Sequence, residues 1–262
     1  MPKAIWAEPR TITDIDDCYF YHTMDIPNHG LVRGEWDLRG RESEYLGHTR
    51  LAGKRVLEIG TASGHLCFSM EQMGASVVAY DLSEHQDWDI VPYAGHDFRQ
   101  HIAERRAHIR KLNNGFWFTH RARGSAARVV YGSVYEIPDD IGEFDVCTFG
   151  SILLHLRDPF LALQRVTSHV LESVIVTDVV WGLRGTVLSL AERLTGVRLV
   201  RFVPNASRRE PLETWWNLSP GVVAEYLGIL GFPHTRTTRH RQVFKGREIQ
   251  LYTVVGRRSA TG

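Results

Sequence analysis

The chain has 262 residues, 31 Lys and Arg against 30 Asp and Glu, and 43% hydrophobic residues. That balance excludes a disordered chain and gives no global charge for a polyanion partner. The three cysteines, Cys18, Cys67 and Cys147, form no CxxC pair, so the sequence encodes neither a zinc ribbon nor a disulfide framework, and a reducing cytoplasm fits. The first residues hold no apolar run of signal-peptide length. The longest apolar stretches, near 149–156 and 174–180, are strand-sized, so no membrane partner is expected.

Residues 1–35 read as irregular, with turn signals at Pro27-Asn28 and His29-Gly30. The spacing predicts a short helix over 37–47, ending at Gly47. A strand at 55–59 runs into a glycine-containing turn and a helix over 65–73. Further strands are predicted at 76–80, 129–131, 144–149 and 173–178, with helices over 98–112 and 158–170. In the last of these, Asp158 stands as N-cap and Pro159 at the first helical position. Residues 182–218 read as an insertion with its own helix at 186–194. A helix over 221–230 and strands at 235–244 and 248–255 complete the chain. Only Lys245-Gly246-Arg247 separate the last two strands, so they form an antiparallel hairpin. Alternating strands and helices predict a doubly wound, mainly parallel α/β sheet, closed by that hairpin.

The most informative run is RVLEIGTASGHLCFSMEQMGASVVAYDLSE. Strand one delivers Glu58, and Gly60, Ala62 and Gly64 form a small-residue loop that opens a helix. Such a loop lets backbone N–H groups approach a ligand. Strand two ends in Asp81, 21 residues after Gly60, where a carboxylate can accept from both ribose hydroxyls. A dinucleotide fingerprint would place a glycine where His65 stands. A bare strand–helix turn with no ligand is the bland alternative.

The run E-x-G-x-A-S-G resembles motif I of class I S-adenosylmethionine-dependent methyltransferases, with Ala62 in place of its central glycine. The F-D-V segment at 144–146 and the closing hairpin are similar to the same family. The resemblance covers about 54–180. It implies a Rossmann-like seven-stranded sheet and S-adenosylmethionine as cofactor. It also implies cofactor contacts at Glu58, Gly60, Thr61, Ala62, Gly64, Asp81 and Leu82. Ser133 and Val134 would flank the adenine, and Gly150 would close strand four; the family often carries an acid where Ser133 stands. Residues 1–50 then form a lid or cap segment, and 51–262 the catalytic domain.

Gly150-Ser151-Ile152-Leu153 stands where N-methyltransferases of DNA and protein amides carry N/D-P-P-Y/F, which favours a hydroxyl acceptor. His155 follows strand four at the ligand edge of the sheet and is the candidate base. The alternative is that it orients the helix start beside it. The runs HLRDPFLAL, FYHTMD and TWWNLSP resemble a branch similar to the tRNA wobble-uridine modification enzymes. On that resemblance Tyr21, His22, Trp215 and Trp216 are substrate-side candidates, with core packing the rival role of the tryptophans. Related folds roof the substrate pocket with the segment after strand five, so Asp178, at the end of that strand, is a candidate to bind substrate hydroxyls or join a metal site. The whole chain also resembles actinobacterial enzymes that methylate mannosides during polysaccharide synthesis.

O-methylation of a sugar or related small molecule is therefore the leading expectation. A tRNA-modifying enzyme is the alternative, supported by the arginine-rich stretch 99–128. A cofactor-binding protein without catalysis is the third. Mg²⁺ is a candidate cofactor because oxygen ligands suit it, although no run of metal carboxylates marks a site. A homodimer is compatible with the sequence.

Overall fold

The computed structural model describes residues 5–180, 192 and 194–259. The predicted insertion helix at 186–194 falls largely outside the described residues, as does Arg184 within the same insertion.

Eight strands form the main sheet. They are β3 (Trp36–Asp37), β4 (Arg55–Ile59), β5 (Ser76–Asp81), β6 (Arg128–Tyr131), β7 (Phe144–Gly150), β8 (Val170–Val179), β11 (His234–Phe244) and β12 (Arg247–Arg257). Their spatial order is β3-β11-β12-β8-β7-β4-β5-β6. Strands β4 to β8 are mutually parallel, and β12 pairs antiparallel with β8 and β11. Two small antiparallel pairs lie outside it. They are β1 (Met24–Ile26) with β2 (Gly30–Val32), and β9 (Val200–Phe202) with β10 (Trp216–Leu218).

Period-two alternation splits the strand side chains between two cores. Leu57, Ile59, Val78 and Tyr80 face α4 (Pro159–Thr167) and α5 (Pro220–Ile229), meeting Leu163, Val166, Val223 and Leu227. Val56, Val77 and Ala79 face α2 (His65–Gln72) and α3 (Arg99–Arg123), meeting Leu66, Phe68, Met70, Phe116 and Trp117. The Asp158 side chain accepts from Leu161 N at 2.9 Å, which confirms the predicted cap.

The expected sheet is present as β11-β12-β8-β7-β4-β5-β6, and the two-residue β3 adds an eighth strand, Trp36 and Asp37 pairing with Phe244 and Val243 at the free edge of β11. Two expectations are corrected. Only Glu42–Tyr45 of the predicted 37–47 helix is helical; this short α1 follows Gly40, whose φ of +75° breaks the helix. Helix α3 runs eleven residues past its predicted end at Leu112, through Asn113-Asn114-Gly115. Those three look like breakers but answer tertiary demands. Asn113 donates to Leu82 O, Asn114 donates to Asp17 O, and a Cβ on Gly115 would lie 2.6 Å from Tyr19 O. The helix ends at Gly124, whose φ of +60° suits a left-handed cap. No helix among the described residues is long and apolar enough to cross a membrane.

The acidic amino-terminal segment packs on this basic helix: Lys111 reaches Asp16 O and Arg123 reaches Asp25 O. The loop after β5 also meets the helix, where Arg106 pairs with Asp87 at 3.0 Å.

Asp178, near the end of β8, is 3% exposed, and its Oδ1 accepts from Val179 N at 2.7 Å. Burial raises its pKa to about 7. Between about pH 4 and pH 7 the unfolded chain has released this proton while the native state keeps it, so stability falls as pH rises through that window. Asn keeps the Oδ1 acceptor and never ionises. Asp178→Asn is expected to melt above wild type at about pH 8, with the gap closing toward about pH 4. Parallel melting curves for the two proteins across that range would show that Asp178 carries no such penalty.

Candidate active site

The carboxyl ends of the parallel strands open into one cavity of about 670 Å³. Its cofactor half is built by motif I. Three positive φ values in five residues, at Gly60 (+78°), Ala62 (+51°) and Gly64 (+90°), turn the chain sharply between β4 and α2. Asp81 fastens this turn. Its Oδ2 accepts from Ala62 N at 2.8 Å and its Oδ1 from Leu82 N at 2.7 Å. Burial raises the Asp81 pKa, and the two amides oppose that rise. Each oxygen keeps a lone pair for a ligand hydroxyl.

Glu58, Gly60, Ala62, Asp81, Leu82, Ser133, Val134 and Gly150 all line the cavity. Glu58 is 2% exposed, and its Oε2 has no hydrogen-bond partner. Burial pushes its pKa up to about 8. A buried carboxyl with an orphaned oxygen is a receptor for a cation. Two predicted contacts lie off the wall. Thr61 is buried behind it, its Oγ1 also unpartnered. Gly64 serves packing: a Cβ there would lie 2.5 Å from Phe68 Cε2.

The amino-terminal segment walls the other half. The backbone N–H groups of Tyr21 and His22 donate to Ser63 Oγ at 3.1 and 3.4 Å, which sets both residues against the cavity. Burial holds the His22 pKa down at about 3, so the ring is neutral, and its Nδ1 has no partner.

His155 lies in a short 3₁₀ turn (Leu153–His155) after β7. Its ring is accessible through the cavity, yet surrounding protein desolvates it and lowers its pKa. Nδ1 lies 2.6 Å from the main-chain oxygen of Glu213. A carbonyl can only accept, so Nδ1 carries the proton and Nε2 is the basic nitrogen.

Trp215, Trp216 and Asp178 do not line the cavity. The indole N–H of Trp215 donates to Asp89 O and that of Trp216 to Arg157 O, so both tryptophans brace the loops behind the wall. Sequence reasoning missed Glu35, Tyr45, Trp88, Asp89, Arg105, His108, Arg157 and Glu213, which complete the wall. They come from six separate stretches and form no motif. Among the described residues no group of three or more His, Cys, Asp or Glu side chains gathers as a metal site.

The methyltransferase-domain family model matches residues 38–250. The chain belongs to this family. Solved structures share its class I fold. The amino-terminal domain of EvdMO1, crystallised in the presence of S-adenosylhomocysteine and D-fucose, superposes with a TM-score of 0.55 at 15% identity, over 94% of this chain and 93% of that one. Magnesium protoporphyrin IX methyltransferase from Synechocystis, with bound S-adenosylhomocysteine, gives 0.50 at 16% identity over 83% and 80%. The 1,6-didemethyltoxoflavin N1-methyltransferase of Burkholderia thailandensis gives 0.50 at 16% over 85% and 78%. No curated protein matches the chain.

The methyltransferase's Glu58 must ionise to pair with a ligand ammonium. Binding of S-adenosylhomocysteine is therefore expected to strengthen as pH rises toward about 8 and to release a proton near pH 7. Calorimetry in buffers of different ionisation enthalpy reads that proton. In Glu58→Gln the release should vanish and affinity should drop by about 10-fold or more. Equal proton release by the two proteins would remove Glu58 from the cofactor's contacts.

Proposed function

We propose that the chain transfers the methyl group of S-adenosylmethionine to a hydroxyl of a sugar or related small molecule, with His155 as the base. A mannoside of polysaccharide synthesis is the acceptor suggested by the whole-chain resemblance. The observation that carries the reading is His155 itself. It is a desolvated, neutral imidazole on the cavity wall, with the proton fixed on Nδ1 and Nε2 free.

The cofactor supplies a methyl group activated by its sulfonium charge. Asp81 accepts from the ribose hydroxyls with the lone pairs its two amides leave free. Glu58 takes the amino group, and the small-residue turn at 60–62 lets backbone approach. Ser133 and Val134 flank the adenine. Gly150 leaves room where a Cβ would lie 3.0 Å from Tyr45 Oη. Tyr21, His22 and Trp36, from the amino-terminal cap, exclude water from the transfer path. As the acceptor oxygen gains the methyl group, its proton passes to His155 Nε2.

The acceptor half suits a neutral polyol. Several of its acids already have partners: Glu213 lies against Arg105, Asp87 against Arg106, Glu35 accepts from Tyr19 Oη and pairs with Lys245, and Asp89 accepts from Tyr135 Oη and Arg157 N. Trp36, Trp88 and Tyr45 add flat apolar faces, on which sugar rings stack. The D-fucose present with the EvdMO1 domain supports the same reading. The tRNA alternative loses ground because several cations of α3 already meet amino-terminal or loop oxygens.

A methyl-transfer screen over glycosides, phenols and bulk tRNA, with and without magnesium, tests the proposal. Turnover is expected on a glycoside, and His155→Gln should lower kcat by about 10²- to 10⁴-fold while leaving the KM for S-adenosylmethionine unchanged. Turnover confined to tRNA, or a fully active His155→Gln protein, would defeat it.

A further inference from the structure

The carbonyl that fixes the His155 tautomer belongs to residue 213, in an irregular stretch between Pro211 and Trp215. The ends of that stretch are tied down. Val91 N donates to Leu212 O at 2.8 Å, and Trp215 N donates to Leu154 O at 2.9 Å. Neither tie sets the rotation of the peptide between them. The Glu213 side chain is the remaining anchor of that residue. Its Oε1 lies 2.7 Å from Arg105 Nε and 2.9 Å from His101 Nε2, both on α3; these are close ion contacts, not aligned hydrogen bonds. Arg105 is itself seated over the Trp88 ring, 5.8 Å from its centre. A side chain anchored on the long helix thus holds a main-chain oxygen against the imidazole.

We propose that Glu213 and Arg105 are positioning residues for His155, the Glu213–Arg105 ion contact holding the 213 carbonyl on Nδ1–H so that Nε2 stays the basic nitrogen. The catalytic meaning of this arrangement rests on the base reading given above. The arrangement itself does not depend on that reading.

The pair also has an electrostatic signature. The Glu213 carboxylate favours a protonated His155 and the Arg105 guanidinium disfavours one, alongside the dominant desolvation. The other charged or titratable groups on this cavity wall are His108 of α3, Asp87 and Asp89 from the loop after β5, Tyr135 from the loop after β6, Arg157 from the imidazole's own stretch, and Glu58, Tyr80 and Asp81 at the cofactor end; His101 of α3 stands beside the Glu213 contact. Tyr21, His22, Glu35 and Tyr45 face it from the amino-terminal segment. Removing either member of the pair should therefore move the His155 titration in opposite directions, which simple loosening of the loop would not do.

The test uses the full chain, labelled with ¹⁵N-histidine and saturated with S-adenosylhomocysteine. His155→Gln assigns the signal, and multiple-bond ¹⁵N spectra read tautomer and titration. Wild type should show the proton on Nδ1. Glu213→Ala should mix the two tautomers. Glu213→Gln, which keeps an acceptor for Arg105, should hold the tautomer but titrate at lower pH. Arg105→Gln should titrate at higher pH, and Arg105→Lys should return the midpoint toward wild type. Retained S-adenosylhomocysteine binding shows that each variant is folded. An unchanged Nδ1–H tautomer in Glu213→Ala overturns the proposal, as do midpoints that move together or stay fixed. Full turnover by His155→Gln would remove the base reading alone and leave the tautomer result standing.

Discussion

The Asp81 carboxylate, held between two backbone amides, is the constraint on which the cofactor half depends. One amide belongs to Ala62 in the turn after β4 and the other to Leu82 after β5. The two strand ends are thereby locked together at the mouth of the sheet. Ala62 sits at positive φ, where a non-glycine residue is strained, and its bond to Asp81 offsets that strain. Burying Asp81 is costly, and two short amide contacts are what make its charge tolerable. Glu58 beside it has only the nearby Thr61 hydroxyl to favour its charge, and its Oε2 has no aligned hydrogen-bond partner among the described residues. The two acids on adjacent strands therefore differ in kind: one is already satisfied by its own chain, the other awaits a cation.

Asp89 plays the matching role in the acceptor half. Its carboxylate accepts from Tyr135 Oη and from Arg157 N, and its main-chain oxygen accepts from the Trp215 indole. One residue thus joins the loops that follow β5, β6 and β7 to the stretch before β10. The tryptophan pair was a reasonable candidate for stacking on a substrate. Its actual work is to brace this junction from behind, which places Glu213 beside the imidazole.

The sequence made the repetitive parts of this architecture readable and left the junctions hidden. Strands β4, β5 and β7 follow from runs of β-branched residues, α2 from its glycine bounds, and α4 from Asp158 and Pro159. Glu58, Gly60, Ala62 and Asp81 are local in the chain, so their spacing alone brings them together. The extra strand β3 was not readable, because two residues carry no periodicity and pair only through the free edge of β11. The length of α3 was misread because Asn113, Asn114 and Gly115 were selected for contacts with Leu82, Asp17 and Tyr19, segments distant in sequence. Arg105, Asp89 and Glu213 escaped for the same reason: each acquires meaning only from a partner on another loop.

The near-zero net charge is the sum of opposed surfaces that meet inside the molecule. Glu84 pairs with Arg10, Asp87 with Arg106, and Glu213 with Arg105, while main-chain oxygens of Asp16 and Asp25 take Lys111 and Arg123. Exposed pairs of this kind contribute little stability individually. Their effect is on placement: the Asp16 and Asp25 contacts set the amino-terminal segment on the long basic helix, and the three ion pairs tie that segment and that helix to the loop after β5 and the stretch before β10. The same pairing consumes cations that a polyanion would need, so the arginine-rich helix acts as scaffold for the acceptor pocket. A wall whose acids largely have partners of their own leaves polar groups to hydrogen-bond a neutral, hydroxyl-rich ligand, in keeping with the proposed acceptor. On that proposal the acceptor's proton goes to Nε2 of His155, because the ring's own proton is held on Nδ1 by the 213 carbonyl.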